Sequence, residues 1–225
     1  MQKQMRHALG AIMTIVITLT CSSPAAAQEL KSWEVTSVSV GSGETPISAG
    51  LTGTIVIEKG RNLIDVTVQE EQAWVMLGRK WQLGKIEMTT NGTLAHFQSA
   101  VVIGPFLNAK LPLGKIGGHD VSVSLLEWPA FFVGAEPKNW RTENDGVENP
   151  ERLKVGWYTQ ASAAVGGLTF SYVWLNFLDD PLNRIPGVSY TTKLRKDFDV
   201  NFSVSYNSAT ERPMYFIGAT WSPGK

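Results

Sequence analysis

"DFDVNFSVSY", Asp197 to Tyr206, alternates without a break: Phe198, Val200, Phe202, Val204 and Tyr206 project to one side of an extended chain, and Asp197, Asp199, Asn201, Ser203 and Ser205 to the other. A strand of this kind has two possible settings. In a soluble β-protein the apolar side packs inward. In a membrane barrel it faces lipid and the polar side faces the lumen. The rest of the chain decides between them.

At the N-terminus, Lys3 and Arg6 precede an apolar run from Ala8 to Thr20 and then the small residues Ala25, Ala26 and Ala27. That is the pattern of a cleaved secretory signal peptide over residues 1–27. The run is shorter than the ~20 residues that a membrane-spanning helix needs. Cleavage before Gln28 would leave 28–225 as one domain. The only cysteine, Cys21, falls in the leader, so disulfide staples and thiolate metal sites are excluded from the mature chain. The full chain balances 20 Lys+Arg against 20 Asp+Glu, and loss of Lys3 and Arg6 leaves a slight acidic excess. Nothing in that charge pattern favours nucleic acid.

Along 28–225, segments rich in Val, Ile, Thr and aromatics recur with period two and turn residues between them, the signature of an antiparallel all-β protein. The pattern predicts strands near 32–41, 49–58, 61–69, 81–90, 93–104, 119–128, 152–164, 167–177, 187–195, 197–207 and 213–222. "QAWVMLGR" and "PFLNAKLPL" are candidates for one more each. Hairpin turns are expected at "EKGR" from Glu58, "TNGT" from Thr90 and "RKDF" from Arg195, with Asn91-Gly92 suited to a type I′ turn. Bacterial barrels have even strand numbers, so the expectation is a closed up-and-down transmembrane barrel of about 12 strands, or about 10 as the smaller alternative.

Two stretches interrupt the rhythm. "FLDDPLNRIPG", 177–187, reads as a long turn. The polar segment 135–152 is the longest connection, and an external position would open it to protease on intact cells. Its acids Glu143, Asp145, Glu148 and Glu151 suggest calcium, but aligning Asp145-Gly146 with a calcium loop puts Arg141 and Arg152 at the first and last ligand positions. No metal or cofactor is therefore expected.

Strand length and aromatic placement turn the reading toward lipid. The predicted strands approach the ~9–11 residues of a membrane-crossing strand, and Trp33, Trp81, Trp157, Trp174, Trp221, Tyr158, Tyr190, Tyr206 and Tyr215 sit on strands, often near their ends. Interfacial aromatic girdles have that placement. Phe198, Val200, Phe202, Val204 and Tyr206 are then expected against lipid, and Lys193, Arg195, Asp199, Asn201 and Ser203 along a lumen. Both charge signs among the lumen candidates imply a weak ion preference.

"MYFIGATW", Met214 to Trp221, resembles the terminal strand of Gram-negative outer-membrane β-barrel proteins, where a glycine and alternating hydrophobics lead to an aromatic. The resemblance implies an outer-membrane location and recognition by the barrel-assembly machinery through Gly218 and Trp221. The tail "SPGK" departs from the family, whose aromatic is commonly the last residue.

Function divides into four readings at this point. One is a small porin-like channel for polar solutes or ions, and another a non-transporting envelope barrel filled by its own side chains. A third is a soluble periplasmic barrel around an apolar ligand. The fourth, a lipid-modifying enzyme, needs a histidine beside a serine. His96 with Ser99, and His119 with Ser122, have the odd spacing that sends side chains to opposite faces of a strand, so no catalytic residue is assigned.

Overall fold

The computed structural model describes residues 33–45, 49–69, 72–97, 100–134, 154–176 and 182–223. The expected leader and the polar segment 135–152 lie outside the described residues. Twelve strands follow one another: β1 (Glu34–Glu44), β2 (Ala49–Lys59), β3 (Asn62–Val68), β4 (Gln72–Leu83), β5 (Ile86–Phe97) and β6 (Ala100–Ile116), then β7 (His119–Gly134), β8 (Lys154–Val165), β9 (Leu168–Asn176), β10 (Asn183–Arg195), β11 (Phe198–Asn207) and β12 (Arg212–Trp221). Each lies beside its neighbours in sequence, and β1 pairs antiparallel with β12 to close the sheet. Closure leaves no strand of the sheet without a neighbour on either side, the condition a sheet must meet inside hydrocarbon.

Among the described residues five connections are two-residue turns: Gly60-Arg61, Gly84-Lys85, Gly117-Gly118, Gly166-Gly167 and Lys196-Asp197. Because the strands alternate in direction, all five fall at one end of the barrel, with the start of β1 and the end of β12. We call this the turn end and its opposite the loop end.

Several predicted boundaries are corrected. The 81–90 strand is cut by the turn at Gly84-Lys85, where Gly84 takes a left-handed φ of 58° that a side chain would disfavour. Asn91-Gly92 is no turn. Both lie inside β5, opposite Gly78 and Leu77 of β4 and Phe106 and Pro105 of β6. "PFLNAKLPL" is the middle of the long strand β6, and the expected turn at 177–187 already belongs to β10 from Asn183 onward.

The register makes the two faces readable. Phe202 of β11 stands between Tyr190 of β10 and Ile217 of β12, all on the outer face. Leu77, Leu94, Phe170, Val204 and Tyr215 share that face and are exposed to the surroundings. The buried apolar residues Val102, Trp128, Ala130, Phe132, Ile185 and Met214 point the other way. An apolar exterior around a closed antiparallel sheet is the architecture of an outer-membrane β-barrel.

Candidate functional site

The inner row of β11 is small and polar throughout, and toward the turn end so are the facing rows of β10, β12 and β1, while Ile185 of β10 and Met214 and Phe216 of β12 are apolar members of the same wall. Ser189 faces Ser203, Thr191 faces Asn201, and Lys193 faces Asp199. The Asn201 amide donates to Thr191 Oγ1 at 2.9 Å, and Ser39 and Thr220 share a hydroxyl contact of 2.8 Å. At the loop end the Asn183 amide donates to Asn207 Oδ1 at 2.9 Å, and Arg212 bridges to Glu44 at 2.5 Å. A polar lane therefore runs up this wall along β11 from turn end to loop end, flanked near the loop end by Ile185 and Met214.

Of the residues expected along the lumen, Lys193, Asp199, Asn201 and Ser203 fall in these inner rows. Arg195 leaves the Lys193 row. The register shifts between the two, so Arg195 stands opposite Phe198, an outer-face position. Of the residues expected against lipid, Phe202, Val204 and Tyr206 are exposed on the outer face, and Phe198 and Val200 share their row.

Alternation also turns inward Glu58, Asp65, Lys80, Glu87 and Lys110, none of which was singled out from sequence. Lys80 bridges to Glu58 at 2.5 Å, and Glu87 is the cross-strand partner of Lys110. With Lys193 beside Asp199 and Arg212 beside Glu44, each inward cation among these described residues stands next to an acid. Asp65, which accepts a hydrogen bond from Thr67 at 3.1 Å, is a further carboxylate.

Two apolar clusters fill much of the loop-end half, one across the lumen from the polar lane and one on the lane's own wall. Ala95, Val102, Trp128, Ala130 and Phe132 form one cluster, against which Trp74, Phe106, Tyr158 and Leu175 pack. Val173, Ile185 and Met214 form a second cluster that meets the same Tyr158 and Leu175. Toward the turn end this filling gives way to a chamber of about 530 Å³, whose walls include Glu58, Asp65, Lys80, Asn91, Phe106 and Asn108. Asn91 is buried, and its Oδ1 has no hydrogen-bond partner in the protein. A buried carbonyl of this kind is costly unless water or solute reaches it, which a polar chamber permits.

The remaining candidates separate. Register places His96 opposite Ala73 on the outer face, and Ser99 lies outside the described residues. Ser122 shares the inner row of Ser124, three residues along β7 from His119. Among the described residues no group of three or more His, Asp or Glu could hold a metal ion. Gly218 faces inward opposite Gly41, and Trp221 ends β12 with its indole donating to Asp197 Oδ2 at 3.0 Å.

No family model and no curated protein matches the chain. Solved structures do match in fold. The barrel is similar to that of the KdgM porin, at 12% identity and a TM-score of 0.54 over 84% of this chain and 98% of that one. It is also similar to the NanC porin, at 8% identity and a TM-score of 0.57 over 83% of this chain and 99% of that one. At such identities the likeness speaks to the fold.

Proposed function

We propose that the barrel is an outer-membrane channel for small polar solutes, which move along the lane formed by β10, β11, β12 and β1. The observation that carries this reading is the continuity of that lane. Along the inner row of β11 it links Lys193 and Asp199 at the turn end to Asn183, Asn207 and Arg212 at the loop end, past the apolar pair Ile185 and Met214. Twelve strands also enclose a bore wider than the eight-stranded barrels that side chains nearly fill.

The matching of charges argues for the class of solute. One KdgM porin structure was solved in complex with disordered oligogalacturonate, a polyanion. Here the inward cations Lys80, Lys110, Lys193 and Arg212 are each set beside an acid, so a polyanion would meet no uncompensated positive track along these described residues. Uncharged and zwitterionic solutes suit this lumen, with a weak preference for cations among simple ions because Asp65 adds a carboxylate. Export by the expected leader, lipid contact through the outer row, and assembly through Gly218 and Trp221 belong to the same proposal.

The test is conductance across a planar bilayer. Wild-type protein is expected to give discrete steps whose reversal potential in a salt gradient lies slightly to the cation side. Lys193→Gln leaves Asp199 without its cross-strand partner, so the reversal potential should move further to the cation side while the step size changes little. The apolar clusters favour a second reading, a structural barrel that does not conduct. A silent bilayer containing folded protein would establish that reading and remove the channel.

A further inference from the structure

Between β6 and β7 the ladder is interrupted. It pairs Ile103 with Phe131 and Leu107 with Glu127, but the three intervening positions on each strand form no pair. Carrying the register across this interval sets Pro105 opposite Pro129. Neither ring nitrogen has a hydrogen to donate, so two facing prolines remove both bonds that such a pair would exchange. The strands nevertheless lie close. A Cβ on Gly104 would stand 2.1 Å from the Pro129 carbonyl oxygen, so only a glycine fits there. The wall is shut by packing, without ladder pairs, over this interval.

What lies on each side gives the interruption its meaning. Inside are Val102, Trp128 and Ala130, among the most buried apolar residues of the chain. Phe106 packs on that cluster and also lines the turn-end chamber. Outside, Ile103 and Phe131 face the bilayer. Directly beside the gap, Glu127 breaks the apolar outer row midway along β7. Its Oε2 accepts hydrogen bonds from Trp157 Nε1 at 2.8 Å and Thr159 Oγ1 at 2.7 Å. A carboxylate at such a depth is expensive, and these two donors leave further lone pairs on it for another hydrogen-bond donor.

The geometry points to a lateral portal between β6 and β7, through which the acyl chain of a single-chain amphiphile passes between the bilayer and the apolar half of the lumen. Parting the strands there breaks no ladder pair, whereas elsewhere in hydrocarbon each broken backbone bond is left without water to replace it. The apolar environment on both sides selects an acyl tail over a polar solute. The Glu127 carboxylate selects the head: it repels an anion and accepts a hydrogen bond from a hydroxyl. The cargo class is therefore an uncharged amphiphile with a hydroxyl-bearing head, such as a monoacylglycerol.

The experiment uses the full barrel in phosphatidylcholine vesicles and a monododecanoylglycerol with a diazirine near the chain end. Illumination should attach the probe to the interior residues Phe106, Trp128 and Ala130. In Ile103→Cys with Phe131→Cys, cysteines stand directly opposite across the border of the gap, and oxidation should suppress interior labelling, with recovery on reduction. The reduced form serves as the folded control. Pro105→Val with Pro129→Val supplies the two missing donors and should lower interior labelling about tenfold, the effect of roughly two added backbone hydrogen bonds on an opening equilibrium. Axial conductance should be unchanged in both variants, which separates this inference from the channel reading. Labelling confined to the outer face, or interior labelling equal in the oxidised and reduced forms, would overturn the portal.

Discussion

Val204→Arg is expected to destabilise the barrel in lipid by about 2–4 kcal/mol, the penalty for a guanidinium on the lipid face near the bilayer midplane. Val204 is 44% exposed on the outer face, opposite Val188 and Tyr215, and lies in the central part of β11. Its neighbour Ser203 has the same depth and the opposite direction, facing Ser189 and Phe216. Ser203→Arg should therefore lose much less stability, because the lumen can hydrate the charge, and it should shift the reversal potential toward anions. Val200 shares the Val204 row but stands two residues from the start of β11, so a charge there can reach the interface and should destabilise less than at 204. Denaturant titration of the three variants in vesicles measures the differences. Equal losses at 203 and 204 would contradict the assignment of faces.

The contrast between these neighbours was legible in the sequence because β11 alternates cleanly, whereas Ile185 of β10 and Met214 and Phe216 of β12 turn apolar side chains inward. Strand number and closure followed from the same signal. It fails in "VVIGPFL" of β6 and "LLEWPAFFV" of β7. Val102, Trp128, Ala130 and Phe132 pack inside while Ile103, Leu125 and Val133 face outward, so both faces are apolar and period two disappears. The apolar half of the lumen could not be read for that reason, and the facing prolines emerge only when the two strands are set in register. Asn91-Gly92 misled in another way. Its composition suits a tight turn, but the chain had already reversed at Gly84-Lys85, and Asn91 was needed in the lumen wall. Arg195 was misplaced by one residue of bulge, which no alternation rule foresees.

Gly41→Val should narrow the lumen and cut the conductance sharply, and Phe216 is the reason. Gly41 and Gly218 are cross-strand partners on the inner face of β1 and β12, and the Phe216 ring lies over both. A Cβ on Gly41 would stand 2.1 Å from the ring's Cζ, and one on Gly218 would stand 2.9 Å from its Cε1. No left-handed φ requires a glycine at position 41. The small residue is explained by the ring, which these two glycines let lie flat against the wall beside the polar lane. A valine at 41 meets the ring on one side and the Ile217 carbonyl oxygen at 3.0 Å on the other. The backbone cannot yield as far as the side chain can, so the ring swings into the bore. Overpacking of this kind costs about 1–3 kcal/mol, which leaves folded protein to assay. The decisive measurement is the double variant: Gly41→Val with Phe216→Ala should recover the stability and conduct at least as well as wild type, since the obstructing ring is gone. Wild-type conductance in Gly41→Val alone, or a loss that Phe216→Ala does not relieve, would mean that the solute path does not pass this wall.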